Sequence, residues 1–309
     1  MDDSNWEECK QALQSARYIL FAPVFIIISA SHISRAMRWK ILMKPLGYSP
    51  TLPNTFFAVM IGYLANLAFP RLGEVLKCTL LARYEKVPAD KLVGTILIER
   101  IVDVICLAIV FAITIITQFG LIGQFAKDTI RDNFLKGGAA AIAQKFGLLI
   151  IVITVFYFVL KAIFRKFGAN HFIKKMRSIL EGVRAGIASI GKMENKWGFI
   201  FHSIFIWCCY VGGTYLGFYA TAGTEQLPFS AAFPVLAFAS IGMIITPGGI
   251  GAYPWFVKEV MVRYGIDEGI ANANGILQWV AQCVIILGVG FVCMALLPYF
   301  NKKKQRGGL

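Results

Sequence analysis

Seven long stretches of the chain contain no charged residue, and they predict its membrane-crossing elements. These stretches are 15 to 33 residues long and cover residues 18–34, 45–70, 104–126, 146–160, 197–224, 226–257 and 269–301. A helix of about 20 apolar residues crosses a bilayer, whereas the strands of a membrane β-barrel give a much weaker, alternating pattern. The pattern therefore predicts an all-α fold, that of a polytopic helical membrane protein.

Composition and charge support this prediction. Of the 309 residues, 57% are hydrophobic and 16% are charged, against about 25% charged in soluble domains. The net charge of +14 comes from basic residues between apolar segments, where they report orientation and attract anionic lipid. We therefore expect no nucleic-acid partner. The seven cysteines form no CxxC pair, which argues against a disulfide framework or a metal site.

The basic residues also predict a topology. Those that follow the first apolar stretch place its end in the cytoplasm. Five full spans then alternate in direction, at residues 18–38, 92–117, 147–164, 198–220 and 275–297. Two further stretches run into Pro/Gly breaks and are predicted to be re-entrant hairpins, 53–69 entering from the cytoplasm and 230–246 from outside. With this arrangement 22 Lys and Arg residues face the cytoplasm and 8 face outside.

The predicted order of elements is an inverted repeat within a single integral membrane domain, residues 1–309. The first half (18–117) and the second half (197–298) each read span, hairpin, span, in opposite orientations. Residues 118–196 would form an outer loop, the linking span and a cytoplasmic amphipathic helix, and 299–309 a basic cytoplasmic tail. Interrupted helices at matching places in inverted halves indicate a substrate site near the bilayer midplane.

The first break contains Phe69, Pro70, Arg71 and, one turn later, Glu74. Proline cannot donate to the preceding turn, so the helix is broken or kinked there. Arg71 and Glu74 are three residues apart and can pair on one helix face. One interpretation is that Arg71 binds a lipid phosphate and Glu74 holds it in place; the alternative is an interfacial loop with Arg71 among the headgroups.

Three charged residues, Glu99, Arg100 and Asp103, lie inside the predicted span 92–117. A charge at mid-helix costs about 2.5–3.5 kcal/mol on insertion scales, so this face is expected to point into the protein. Either Arg100 and Asp103 neutralise each other and only tie helices together, or Glu99 and Asp103 orient Arg71 or Arg100 towards an anionic headgroup.

The second break is rich in glycine and contains Pro247, Gly248, Gly249 and Gly251. Glycines let the backbone turn sharply and approach a ligand, and a half-helix that starts after them presents free N–H groups to an anion. The alternative is a tight hairpin tip. The predicted substrate-binding residues are thus Arg71, Glu74, Glu99, Arg100, Asp103, Pro247, Gly248, Gly249 and Gly251.

The end of the first span contains Arg35, Arg38 and Trp39. Arginine and tryptophan at this depth are typical interfacial anchors, and that is the role predicted for all three. His32 has no metal-ligand spacing with the other two histidines and is expected to hydrogen-bond at the interface. We predict no metal, no cofactor and no catalytic residue.

Four segments together resemble one family. SRAMRW (34–39), NLAFPRLGEVLKCTLLARY (66–84), GTILIERIVD (94–103) and TPGGIGAYP (246–254) are similar to the lysylphosphatidylglycerol synthase transmembrane, or flippase-like, family. The resemblance implies a multi-pass protein of the bacterial or archaeal cytoplasmic membrane. It also implies lipid movement, since the best understood members move aminoacylated phosphatidylglycerol between leaflets and relatives are linked to other polar or polycyclic lipids.

The chain departs from the family pattern at both ends. Members that also synthesise the lipid have a soluble aminoacyl-transfer domain after the membrane part, so no aminoacylation is expected here. Members usually begin with one more transmembrane helix, which suggests that this chain starts at a later methionine or is a shortened form.

The leading functional hypothesis is a translocase or lipid-binding transporter for an anionic or otherwise polar lipid. Arg71, Arg100 and the backbone amides after Pro247 would hold its phosphate. The alternatives are an intramembrane enzyme acting on lipid phosphates, with Glu99 or Asp103 as the base, and an accessory subunit that presents lipid. Besides membrane lipid, the expected partners are a second copy of the chain or an enzyme that synthesises the lipid.

Overall fold

The structure is a computed structural model that describes residues 3–69, 71–118 and 193–306, with the side chains of residues 3, 90 and 303–306 excepted. Pro70, the predicted span 147–164 and the predicted amphipathic helix lie outside the described residues. Residues Met1–Thr114 and Ile190–Leu309 form one compact unit, and the description below concerns that unit.

The described residues are helical and contain no strand, as predicted. The α-helices are, in order, α1 (Asp3–Gln14), α2 (Phe21–Met43), α3 (Leu52–Ala68), α4 (Leu72–Glu85), α5 (Ala89–Thr117), α6 (Lys196–Phe218), α7 (Ala232–Ile245), α8 (Ala252–Val262) and α9 (Glu268–Arg306). α1 was not predicted; it packs against α9, where Asn5 donates a 3.1 Å hydrogen bond to Glu268.

Within the part of the chain that the structure describes, three segments are long and apolar enough to cross a membrane. They are Tyr18–Leu46, Lys196–Phe218 and Glu268–Lys302, and shorter apolar helices cover Leu52–Ala68 and Phe229–Ile245. A helical membrane protein is therefore confirmed. The number of spans remains a prediction, as does the division into one integral membrane domain.

Each predicted hairpin is a pair of helices that meet at a break. α3 and α4 are antiparallel, because the Glu85 carboxylate at the end of α4 accepts hydrogen bonds from the Thr51 amide and from Asn54 at the start of α3, at 3.2 and 2.6 Å. Glycines allow the close approach: a Cβ atom on Gly73 would lie 2.0 Å from the Gly62 carbonyl oxygen. α7 and α8 also pack together, with Gly242 against the backbone of Tyr253.

The first helix of each half packs against the other. Ile28 near the start of α2 meets Gly213 near the end of α6, while Ser34, further along α2, contacts His202 near the start of α6. α2 and α6 are therefore antiparallel, as an inverted repeat requires. α3 and α9 are antiparallel as well, since Asn54 and Asn301 exchange two hydrogen bonds of 2.9 and 2.8 Å and Leu64 meets Gly290.

Candidate functional site

The most unusual feature of the described residues is a buried cluster of ionised side chains where α2, α4, α5 and α6 meet. Arg35 and Arg38 lie on one face of α2, since residues three apart share a helix face. Glu99 and Asp103, four apart, do the same on α5. The Asp103 carboxylate accepts from Arg35 through one oxygen, at 2.6 Å, and from Arg38 through the other, at 2.8 Å.

Glu99 lies at the centre of this cluster and is only 2% exposed. One carboxylate oxygen accepts from Arg35 and Arg38, both at 3.3 Å, and the other accepts from the Lys77 ammonium at 3.2 Å. The Lys77 ammonium also lies 4.6 Å from the centre of the Trp39 ring, a favourable cation–π arrangement. Glu99 therefore joins three cations from two helices.

Neutral side chains complete the cluster. Arg38 donates to the Ser203 hydroxyl at 3.3 Å, and Arg35 donates to the Tyr210 hydroxyl at 3.2 Å. The Trp39 indole donates to Thr95 at 2.8 Å. Buried charges are tolerated when they are paired and hydrogen-bonded; here only the Nε atoms of Arg35 and Arg38 have no partner among the described residues of the cluster.

A cavity of about 350 Å³ lies beside the cluster, within the range of small-molecule sites. Its wall contains Arg35, Asp103 and Arg100 from the charged segments, with His32, Tyr63 and Tyr210 among its polar and aromatic residues. Much of the remaining wall is apolar and comes from α7 and α9. A smaller apolar cavity between α2, α6 and α9 shares Ile28, Tyr210 and Gln282 with it, so the two are neighbours.

Arg100 and Glu74 form a separate ion pair at the edge of this region. The Arg100 guanidinium donates to Glu74 at 2.8 Å, and its side chain is 46% exposed. The described ionised groups of the cluster and this pair are four cations and three carboxylates. One positive charge therefore remains in excess next to the cavity.

Several predicted pairings are wrong. Glu74 pairs with Arg100 and not with Arg71, whose side chain is exposed. Glu99 and Asp103 orient Arg35 and Arg38 and not Arg71 or Arg100, and Asp103 does not neutralise Arg100. The reason is geometric: Arg35 and Arg38 reach α5 from α2 and occupy both oxygens of Asp103, whereas Arg100 reaches Glu74 on α4.

The interfacial role predicted for Arg35, Arg38 and Trp39 does not match their positions either. All three side chains are buried within the protein, whereas anchors of this kind face headgroups. The charges of the two arginines are compensated by carboxylates on α5, which is why they can be withdrawn from the surface.

The glycine-rich break lies near the first break but outside the wall of the cavity. A Cβ atom on Gly248 would lie 3.0 Å from the Leu67 side chain at the end of α3, and the Trp279 indole donates to the Gly248 carbonyl at 2.8 Å. The predicted free amides are largely occupied: those of Gly249 and Ile250 donate to the carbonyls of Thr246 and Pro247. Gly248 and Gly249 are therefore packed in this turn, whereas Pro247 and Gly251 are exposed.

Sequence reasoning missed several residues of the site. Lys77 was overlooked because α4 follows a break and reads as a short polar segment, although its spacing from Glu74 places both on one helix face. Tyr63, Tyr210 and Gln282 are uncharged, so a search for charges inside apolar runs does not find them. Among the described residues no group of three His, Cys, Asp or Glu side chains has the arrangement of a metal site.

Comparison with known proteins places the chain in a family. The model of the lysylphosphatidylglycerol synthase TM region matches residues 2–297. The chain belongs to this family. It is also similar to the UPF0104 membrane protein MJ1595 of Methanocaldococcus jannaschii, with 24% identity over 310 aligned positions that cover 93% of this chain and 85% of that protein. No solved structure matches the chain.

Family membership confirms the resemblance inferred from the four sequence segments, and with the apolar helices it identifies a multi-pass membrane protein. All four segments lie in or near the ionic cluster and the breaks that end α3 and α7. The first supplies Arg35 and Arg38, the second Glu74 and Lys77, and the third Glu99, Arg100 and Asp103. The fourth is the turn at Pro247–Gly249, which packs on the end of α3.

Proposed function

We propose that this protein is a lipid translocase of the cell membrane that holds the headgroup of an anionic or otherwise polar lipid in the cavity beside Arg35, Arg100 and Asp103. One observation carries the proposal: a buried ionic cluster with one positive charge in excess borders a cavity of about 350 Å³. Ionised residues at membrane depth mark substrate pathways.

Each part of the site has a role in this proposal. Arg100 can bind a phosphate, because Glu74 uses only one of its two terminal nitrogens. Arginine binds phosphate through paired hydrogen bonds. Arg35 contributes charge from a fixed position, since Asp103 and Tyr210 hold it. The neighbouring cavity is mostly apolar and measures about 50 Å³, which offers room for only a small part of a hydrocarbon chain.

The two helix pairs supply a route by which a lipid changes sides. We propose that α3–α4 and α7–α8 are re-entrant hairpins that enter from opposite faces of the membrane. Support comes from the Thr51–Glu85 contact, which brings both ends of the first pair together, and from the contact between Gly248 and Leu67, which joins the two breaks. The cavity would then lie between the two entrances.

The test is a leaflet-resolved assay on the purified protein in reconstituted vesicles, with an acyl-labelled anionic phospholipid. Replacing Arg100 by Gln removes one charge-assisted contact, worth about 1.5–3 kcal/mol, so the rate of translocation should fall roughly 10- to 100-fold while insertion persists. Arg83→Gln is the matched control, because Arg83 is an exposed arginine of α4 that does not line the cavity.

The same assay separates the alternative functions. A change in the sidedness of the lipid without a change in its mass supports the translocase. A product of altered mass would instead support an intramembrane enzyme, and neither change would support an accessory subunit. Equal rates for Arg100→Gln and Arg83→Gln would remove Arg100 from the site.

A further inference from the structure

Two ring side chains in the cavity wall, His32 and Trp207, have hydrogen-bonding groups without a partner among the described residues, as does the Nε of Arg35. The His32 residue is only 6% exposed, and neither of its ring nitrogens is hydrogen-bonded. The indole N–H of Trp207 is also buried and unpaired. Both residues line the cavity with Arg35. Most buried polar groups in proteins have a partner, so these unpaired groups indicate that a ligand supplies one.

The two side chains differ in the ligand atoms that suit them. An indole N–H only donates, so Trp207 requires an acceptor such as a phosphoryl, carbonyl or hydroxyl oxygen. A neutral imidazole donates from one nitrogen and accepts at the other, which a hydroxyl group can satisfy. The His32 ring is held against Tyr63, with their centroids 5.1 Å apart, so its position in the wall is defined.

The charges in the wall disfavour a cationic headgroup. Asp103 is the carboxylate among the described lining residues, and each of its oxygens already accepts from an arginine. Glu74 is engaged by Arg100, and Glu99 lies behind the wall with three cations. An ammonium group in the cavity would meet a positive excess, and it would have to displace an arginine to gain a carboxylate. Opening a buried ion pair in this way is strongly unfavourable.

We infer that the cavity selects an anionic phospholipid whose headgroup carries hydroxyl groups and no ammonium, and that His32 and Trp207 hydrogen-bond that headgroup beside the phosphate. This inference rests on the proposed function and narrows its substrate class. It distinguishes the lipid of this protein from aminoacylated phosphatidylglycerol and from phosphatidylethanolamine, both of which carry an ammonium group.

The experiment measures lipid retention by the purified protein with native mass spectrometry, so that it does not depend on transport. The protein is offered an equimolar mixture of phosphatidylglycerol, phosphatidylethanolamine and lysyl-phosphatidylglycerol. Phosphatidylglycerol should be retained at least about tenfold better than the other two, which corresponds to about 1.4 kcal/mol.

Two variants test the assigned residues. Trp207→Phe removes one N–H group and His32→Phe keeps a ring against Tyr63, and each should lower the preference for phosphatidylglycerol severalfold. Trp197→Phe is the matched control on the same helix, since Trp197 is 74% exposed and should leave the preference unchanged. If His32→Phe does not fold, His32→Gln, which keeps a donor and an acceptor, should retain most of the preference.

The outcomes separate this inference from the function on which it rests. Equal retention of the three lipids by the unmodified protein would overturn the headgroup selectivity and leave the translocase proposal standing. Failure to retain any lipid would overturn both. A parallel sample is offered glycerol 3-phosphate. If the protein retains this compound and retains no lipid, the ligand of the cavity is a water-soluble phosphate and not a lipid. An unchanged preference in both ring variants would remove His32 and Trp207 from the recognition site.

Discussion

Glu99 shows how a single residue organises the candidate site. Its two carboxylate oxygens accept from Arg35, Arg38 and Lys77, and no other described carboxylate contacts Lys77. The sequence predicts that Glu99 faces inward, because a charge in an apolar span needs a buried partner. It does not identify the partners, since Arg38 and Arg35 lie 61 and 64 residues away along the chain.

The first prediction concerns the charge balance around Glu99. Glu99→Gln leaves Lys77 buried without a carboxylate, and removal of one partner of a buried pair costs about 3–5 kcal/mol. The free energy of unfolding in detergent should fall by about that amount. Adding Lys77→Met should recover part of the loss, because the uncompensated ammonium is then gone.

The control for this prediction is an exposed ion pair. Arg17 and Glu225 lie 3.6 Å apart at the surface, and such pairs contribute about 0–1 kcal/mol. Glu225→Gln should therefore change the stability little. A loss in Glu99→Gln no larger than that in Glu225→Gln would mean that the cluster does not stabilise the fold.

At the scale of elements, the sequence predicted the long helices well because each depends on local properties. Apolar length gave α2, α3, α5, α6, α7 and α9, and the Pro/Gly breaks marked where α3 and α7 end. The close contacts between helices could not be predicted from the sequence. The approach of α4 to α3 depends on Gly62 and Gly73, which are 11 residues apart and meet only because the break reverses the chain.

The second prediction tests this contact. Gly73→Ala would place a methyl group 2.0 Å from the Gly62 carbonyl oxygen, so α3 and α4 must separate and the protein should lose about 1–3 kcal/mol of stability. Gly94→Ala is the matched control, because Gly94 lies in α5 and its Cβ would meet nothing within 4 Å. That variant should be stabilised by roughly 0.5–1 kcal/mol, and thermal unfolding of both variants would show the difference. Similar melting temperatures would argue against tight packing at Gly73.

At the scale of the whole molecule, the described helices are arranged as the predicted inverted repeat would arrange them, and the repeat itself remains a prediction. The antiparallel packing of α2 with α6 relates the two halves, and each half contains a short helix pair between longer helices. The cavity is lined by residues of both halves, including Arg35 and Arg100 from the first and Tyr210 and Gln282 from the second. Neither half alone contains the site.

The third prediction concerns the orientation of the helix pairs in the membrane. In a variant without the native cysteines, single cysteines at Ser49 and Lys86 should both be protected from an impermeant external thiol reagent. Cysteines at Gln226 and Asp267 should both react with it. All four positions are exposed in the structure, so protection would come from the membrane and not from burial in the protein. A different result within either pair of positions would mean that the corresponding helix pair crosses the membrane.

The sequence by itself determined the helical membrane class, the positions of the two breaks and the presence of charges within a largely apolar helix. These are local properties: the length of an apolar run, the effect of Pro and Gly on the backbone, and the cost of a charge in hydrocarbon. Only the tertiary structure decided that Arg35 and Arg38 are buried partners of Glu99 and Asp103, and that the glycine-rich turn packs on α3. Those contacts join segments that are far apart in the chain, and their geometry depends on how the helices pack.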